Sequence, residues 1–264
     1  MPAEPGAASR TGCAILGQGR LGRLIAEALL ADPDGPALVG TLGRGGRSGP
    51  AAAASLDEIL ARRPAVVVEC ASAEALAAAG PSVLAAGAVL VPLSLAAFAD
   101  EDAASRLTEA ARRGPGRIEI PSGAAGALPL VAAALVAGLR SVAFRQAYPV
   151  AGWRGTAAEG LVDLDAIREA TTVFRGSARE AARLFPRNLN AATGVALAGL
   201  GLDRTHVELL ADPGLPGVRY DLALDAEPGP VRLTIGPRPG GSGPDYTAYT
   251  VLAHLRRRVA RIAI

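Results

Sequence analysis

The chain has 264 residues, half of them hydrophobic and 3% aromatic, with 27 basic residues against 25 acids and a net charge of +2. That length can bury a sizeable core as one large domain or two modest ones, and the near balance of charge gives no basic field for nucleic acid. Every basic residue is an arginine, which excludes a phosphate-loop lysine, a pyridoxal Schiff base and a lysine general base.

Cys13 and Cys70 lie in apolar runs and read as buried thiols, too few for a disulfide framework or a cysteine-built zinc site, so no metal is expected. Residues 1–11 read as a loose tail without the basic and apolar regions of a signal peptide. The most apolar long run, Ser82–Ala99, is interrupted by Pro92 and Ser94, and reads as helix, strand and helix instead of a membrane span. A soluble cytoplasmic protein is expected.

The first unit opens with a short apolar strand, Cys13–Leu16, that runs into Gly17-Gln18-Gly19-Arg20-Leu21-Gly22. Leu21, Ile25, Ala28 and Leu29 then recur on one helical face. Gly17 suits a tight turn, Gly19 close backbone approach to a pyrophosphate, and Gly22 close packing of helix on strand. The phosphates would rest on the helix's free amides and positive dipole end. A second strand, "ALVGTL", follows in the order that a dinucleotide site requires. An acid ending that strand would bind the ribose 2′-hydroxyl of NAD, and none stands at Gly40–Arg44. Arg44 and Arg47 suit a 2′-phosphate instead and favour NADP over NAD, unless they only solvate a loop.

Ala65–Val68, Val89–Val91 and Gly116–Ile120 read as further strands, separated by helices that start at Ala73 and span Glu101–Arg113. The alternation predicts an α/β fold, a Rossmann-type doubly wound parallel sheet over residues 12–120, with its ligand beyond the strands' carboxyl ends. Cys70 and Ala71 stand at one such end and join the glycine turn as cofactor candidates. Residues 121–244 read as a second, α+β domain with a mixed or antiparallel sheet. Its strands are "AFRQAY", "RTHVELLAD", "VRYDLALDAE" and "VRLTIG"; its helices are "SAREAARLF" and "NLNAATGVALAGL". "GPRPGGSGPD" reads as a flexible connection, and 245–264 reads as a final helix whose apolar face suits packing back on the first domain.

Four segments together resemble the L-aspartate dehydrogenase family. They are "VVECAS" at Val67–Ser72, "IPSGAAGAL" at Ile120–Leu128, "WRGTAAE" with "DLDAI" at Trp153–Ile167, and the long "FRGSAREAARLFPRNLNAATGVALAGLGLD" at Phe174–Asp203, with "ADP" at Ala211–Pro213 beyond them. The resemblance implies a nicotinamide-dependent amino-acid dehydrogenase that is a homodimer through its central domain. It also implies reversible oxidation of aspartate to iminosuccinate. By the same resemblance Ala124 and Asn190 contact the nicotinamide side. Ala124 would open a helix with free amides. Asn190 offers both a donor and an acceptor, or else serves only as a cap.

The chain also departs from the family. Where the family pattern reads asparagine, any residue, histidine and acid, this chain reads Val218, Arg219, Tyr220 and Asp221. Tyr220 therefore holds the catalytic position, and neither His206 nor His254 replaces the histidine by placement. Pro129 replaces the acid expected after "PSGAAGAL", and "GPDYT" at Gly243–Thr247 stands for another family segment. A phenol with an ordinary pKa near 10 donates protons better than it abstracts them, unless arginines such as Arg219 lower it. Three readings follow: a changed substrate or direction, such as an imine reductase; retained aspartate activity; or a non-catalytic NADP-binding sensor or scaffold.

Overall fold

In the computed structural model, residues 11–45, 49–239 and 246–262 are described. Two compact units emerge. One takes the described residues through Leu93, then Arg106–Pro121 and those from Ala248 on; the other takes Ser94–Ser105 and Ser122–Thr247. Each has its own sheet.

The first unit is an all-parallel sheet of β1 (Gly12–Leu16), β2 (Ala37–Leu42), β3 (Val66–Glu69), β4 (Val89–Pro92) and β5 (Arg117–Ile118), in the order β2-β1-β3-β4-β5. β3 and β4 are buried along their whole length, as strands covered on both faces must be. The helices are α1 (Arg20–Ala31), α2 (Leu56–Ala61), α3 (Ala73–Ala85) and α4 (Glu101–Arg113), the last passing from the second unit into the first. Local chemistry starts and stops them. The hydroxyls of Ser55 and Ser72 accept from Glu58 N and Ala75 N at the starts of α2 and α3. In α4 Glu101 and Asp102 occupy the first turn and Arg112 and Arg113 the last, each matched to the nearer dipole end.

Ile25 and Leu29 of α1 pack on Cys13, Ile15, Val66, Val68, Val89 and Val91, and Ala248, Val251 and Leu255 of the last helix complete this core. Burying Val251 and Leu255 contributes about 1.5–3 kcal/mol each. Glu119 secures the same end of the chain: its carboxylate receives Arg117 Nε at 2.6 Å and Arg258 Nη1 at 2.6 Å, and lies 2.8 Å from His254 Nε2. Burial pushes this carboxyl up, but the three donors outweigh it and hold it below the ordinary range. His254 is thus engaged in anchoring.

The second unit is a mixed sheet of β6 (Leu139–Tyr148), β7 (Thr171–Ser177), β8 (Thr205–Ala211), β9 (Gly217–Ala226) and β10 (Gly229–Pro239), in the order β10-β9-β6-β8-β7. β6 runs parallel to β8 and antiparallel to β9. With α5 (Leu128–Val136), α6 (Ala178–Leu184) and α7 (Asn190–Ala198) preceding α8 (Tyr246–Arg257), the α-helices number eight among the described residues. α5, α6 and α7 contact strands of this sheet. One sheet face carries buried Val142, Phe144, Gln146, Leu209, Tyr220 and Leu222; Arg145, His206, Arg219 and Arg232 are exposed on the other. Trp153 is fully buried, donating from Nε1 to Leu210 O at 2.9 Å and lying edge-on to Phe185.

The structure differs from the sequence expectation in several places, and the strand expected at Gly116–Ile120 is only Arg117–Ile118. β7 was not anticipated as a strand. β10 continues through Pro239, so the first residues of "GPRPGGSGPD" are strand, while 240–245 lie outside the described residues. The last helix stops at Arg257. No helix among the described residues is long and apolar enough to cross a membrane.

Candidate active site

The glycine turn lies at the carboxyl end of the parallel sheet, and three glycines have three distinct reasons to be there. Gly17 has φ +115°, and a Cβ on it would lie 2.7 Å from the Cys70 carbonyl and 2.8 Å from Ala71 N. A Cβ on Gly22 would collide with the Gly17 carbonyl oxygen and approach Cys70 Sγ to 3.2 Å. Gly19 differs: its φ of −71° suits any residue, and a Cβ there would meet nothing within 4 Å. Packing does not demand glycine at 19. A ligand lying over the turn would, because a methyl there would fill the space in which a pyrophosphate could rest. Gly19 is also the N-cap of α1, with no side-chain cap and no acid in the first turn, so amides at a positive dipole end face that space. Arg20 and Leu21 open the helix itself. These features fit a dinucleotide.

Gln18 covers the end of β2. Its Nε2 donates to Thr41 Oγ1 at 3.3 Å, and any side chain at Gly43 would have to displace it. The place where an NAD-binding enzyme carries an acid is therefore taken by an amide, with exposed Arg44 next in the chain. Arg47 lies outside the described residues.

Cys70 and Ala71 close against the turn from the neighbouring strand, Cys70 N donating to Leu16 O at 2.8 Å. Burial pushes the thiols of both Cys13 and Cys70 up to about 12, so neither is a thiolate nucleophile at neutral pH. Glu69, which sequence reasoning passed over, is fully buried at the end of β3; its Oε1 accepts from Ala71 N at 2.7 Å and Ser72 N at 3.1 Å. Its signal in the sequence was an acid ending an otherwise apolar strand.

In the second unit Asn190 opens α7, and its Oδ1 accepts from Ala96 N at 3.1 Å. The oxygen thus caps the 3₁₀ segment Leu95–Ala99, and among the described residues Nδ2 has no hydrogen-bond partner. Ala124 does not open a helix. It lies in a turn between Gly123 and Gly126, whose φ values of +58° and +64° break helical continuation, and α5 begins only at Leu128.

Tyr220 lies on β9, buried on the covered face and stacked on Phe144 with ring centroids 5.5 Å apart. Arg219, one residue away, must point to the opposite face; it is exposed and bonded to Asp221 at 3.0 Å. The alternation sets the Arg219 side chain on the face opposite the phenol. The cross-strand partner of Tyr220 is Gln146, fully buried, with Nε2 on Asn188 O at 2.7 Å and Oε1 without a partner among the described residues. Gln146 was also missed, although as a polar residue in phase with Phe144 it broke the alternation of β6. His206 is exposed on the opposite face. No group of three or more histidine, cysteine or acidic residues among the described residues could hold a metal.

A glycine turn on a parallel sheet, followed by a unit built on a mixed sheet, is the arrangement of a two-domain dinucleotide-binding protein. Comparison with known proteins narrows the class. Residues 130–258 match the family described as aspartate dehydrogenase, C-terminal, and residues 17–121 that described as homoserine dehydrogenase, NAD binding domain. An L-aspartate dehydrogenase of Cupriavidus taiwanensis is 39% identical over 253 residues, covering 92% of this chain and 94% of that protein. One from Ruegeria pomeroyi is 39% identical over 262 residues, covering 96% and 94%. The crystal structure of aspartate dehydrogenase from Thermotoga maritima superposes with a TM-score of 0.78 at 25% identity, covering 97% of this chain and 99% of that one. The chain belongs to the L-aspartate dehydrogenase family.

Proposed function

We propose that this protein interconverts an amino acid, with aspartate the first candidate, and its imino acid by hydride transfer, that it prefers NADP(H), and that it works chiefly as an imine reductase. The observation that carries the direction is Tyr220, a buried phenol at the family's histidine position. When bound, the nicotinamide supplies the hydride donor or acceptor. The chain's own residues bind and move protons. Gly17–Gly22, with Cys70 and Ala71, hold the dinucleotide; Arg44 and Arg47 take the 2′-phosphate; Ala124 and Asn190 contact the nicotinamide end; Tyr220 donates a proton to the imine nitrogen, whose carbon is the atom reduced. A phenol is weak as a base near neutrality but serviceable as an acid. The coverage of the L-aspartate dehydrogenase relatives supports the substrate class.

The test is loss of reduced-nicotinamide absorbance with oxaloacetate and ammonium, NADPH and NADH run in parallel. Turnover is expected with both and favours NADPH. Arg44→Ala should lower the NADPH-to-NADH ratio of kcat/KM by about tenfold, the scale of one charge-assisted phosphate contact. An unchanged ratio removes Arg44 from the 2′-phosphate site. Absence of turnover in protein that binds NADPH would instead favour the non-catalytic NADP sensor.

We also infer a homodimer through the exposed face of the second unit's sheet. A groove of about 570 Å³ there carries Arg145, Arg175, Arg219 and Arg232 with Glu208 and Asp221. Both signs on one patch suit a self-complementary twofold contact. Sedimentation equilibrium should give twice the chain mass, weakened by Arg232→Glu; a monomer at micromolar concentration sinks the inference.

A further inference from the structure

The most deeply buried acid near the glycine turn has no part in the scheme above. Glu69 is fully buried, yet its carboxylate faces the backbone of the next two peptides, with Oε1 taking the amides of both Ala71 and Ser72. The strand around it is fixed on both sides: in register it lies between Leu16 and Pro92, and its carbonyl accepts from Leu93 N at 2.8 Å. The carboxylate therefore has a rigid base, and what it shapes is the segment beyond.

That segment is the wall of the glycine turn. The Cys70 carbonyl and Ala71 N are the atoms that a Cβ on Gly17 would strike, and Cys70 Sγ is 3.7 Å from Gly17 O. Ser72, whose amide Glu69 also holds, caps α3 through its hydroxyl. One carboxylate oxygen thus fixes the path of residues 70–72 between β3 and α3, with the turn pressed against it.

We propose that Glu69 is a positioning residue for the cofactor: through the Ala71 and Ser72 amides it sets the wall against which Gly17 and the dinucleotide lie. The proposal rests on the dinucleotide reading of the turn. It requires an acceptor at the full reach of the glutamate side chain. Glutamine keeps that reach and one acceptor oxygen without the charge. Aspartate keeps the charge but is one methylene shorter and withdraws the oxygen from both amides.

The experiment is titration of NADPH fluorescence into the full chain and its Glu69→Gln and Glu69→Asp variants, with thermal unfolding of each recorded to establish folding. E69Q should bind with a Kd within about threefold of the parent, and E69D about tenfold more weakly, the scale of one net hydrogen bond. A role in stability alone would shift the unfolding temperature and leave Kd in folded protein unchanged, which overturns the proposal. So does the reverse pattern, E69D binding well and E69Q poorly, because charge would then matter and reach would not. If the parent binds neither NADPH nor NADH, the dinucleotide reading falls and takes this one with it. Parental binding with unaltered variants removes this one alone.

Discussion

Gly19→Ala is expected to weaken NADPH binding by at least about tenfold while leaving the unfolding temperature within about two degrees of the parent. Gly22→Ala is expected to lose both. The two substitutions add the same methyl group to the same turn, and their surroundings separate them. At Gly22 the new Cβ meets the carbonyl oxygen of Gly17, a backbone atom held by the Gly17 N to Leu42 O bond at 2.8 Å. Neither partner can rotate away, so α1 must lift from the sheet, and Ile25 and Leu29 would lose packing in the first unit's core. Overpacking of this kind costs about 1–3 kcal/mol even where side chains can adjust. At Gly19 there is open space and an ordinary φ, so the folded protein has no reason to object. Only a ligand lying over the turn would. Fluorescence titration of NADPH, with thermal melts of both variants, decides the matter. If Gly19→Ala bound NADPH as tightly as the parent, the pyrophosphate would not lie over Gly19.

The contrast between those glycines also marks what a sequence can reveal. The turn was legible because its constraints are local: a strand, a spacing of glycines and a helical face all fall within Gly12–Ala31. The succession of parallel strands was legible for the same reason, each buried strand being a short apolar run. β7 was not. Only Val173 of its seven residues is buried, so no alternation announced it, and its pairing with β8 is a tertiary fact. The reading of Ala124 as a helix start failed because the left-handed conformations of Gly123 and Gly126 are invisible in a string of small residues. Glu69 stood in plain sight in "VVECAS". Its meaning depends on two amides beyond the strand end that only the folded chain aims at it. The facing of Arg219 could have been settled earlier, since strand alternation alone puts it opposite Tyr220.

Tyr220→Phe and Tyr220→His should move the reaction in opposite ways, and together they test what the phenol does. Phenylalanine keeps the ring stacked on Phe144 and removes only the hydroxyl. If Tyr220 donates the proton in imine reduction, Tyr220→Phe should lower kcat by about a hundredfold, the lower end of what a positioned acid contributes, with little change in KM. Histidine should do the reverse for amine oxidation. An imidazole titrating near 6.5 accepts a proton at neutral pH far more readily than a phenol titrating near 10. Tyr220→His is therefore expected to raise kcat for aspartate oxidation by about tenfold or more near neutrality. That gain should fade at acid pH as the imidazole is protonated. A smaller ring against Phe144 in a buried site leaves a void, so a stability loss of about 1–3 kcal/mol should accompany it. The pair is read by initial rates in both directions across pH. A phenylalanine variant as fast as the parent would mean that the ring only fills space. The tyrosine at this position of the chain would then be a matter of packing, and the proton in imine reduction would have to come from water or from another residue of the second unit.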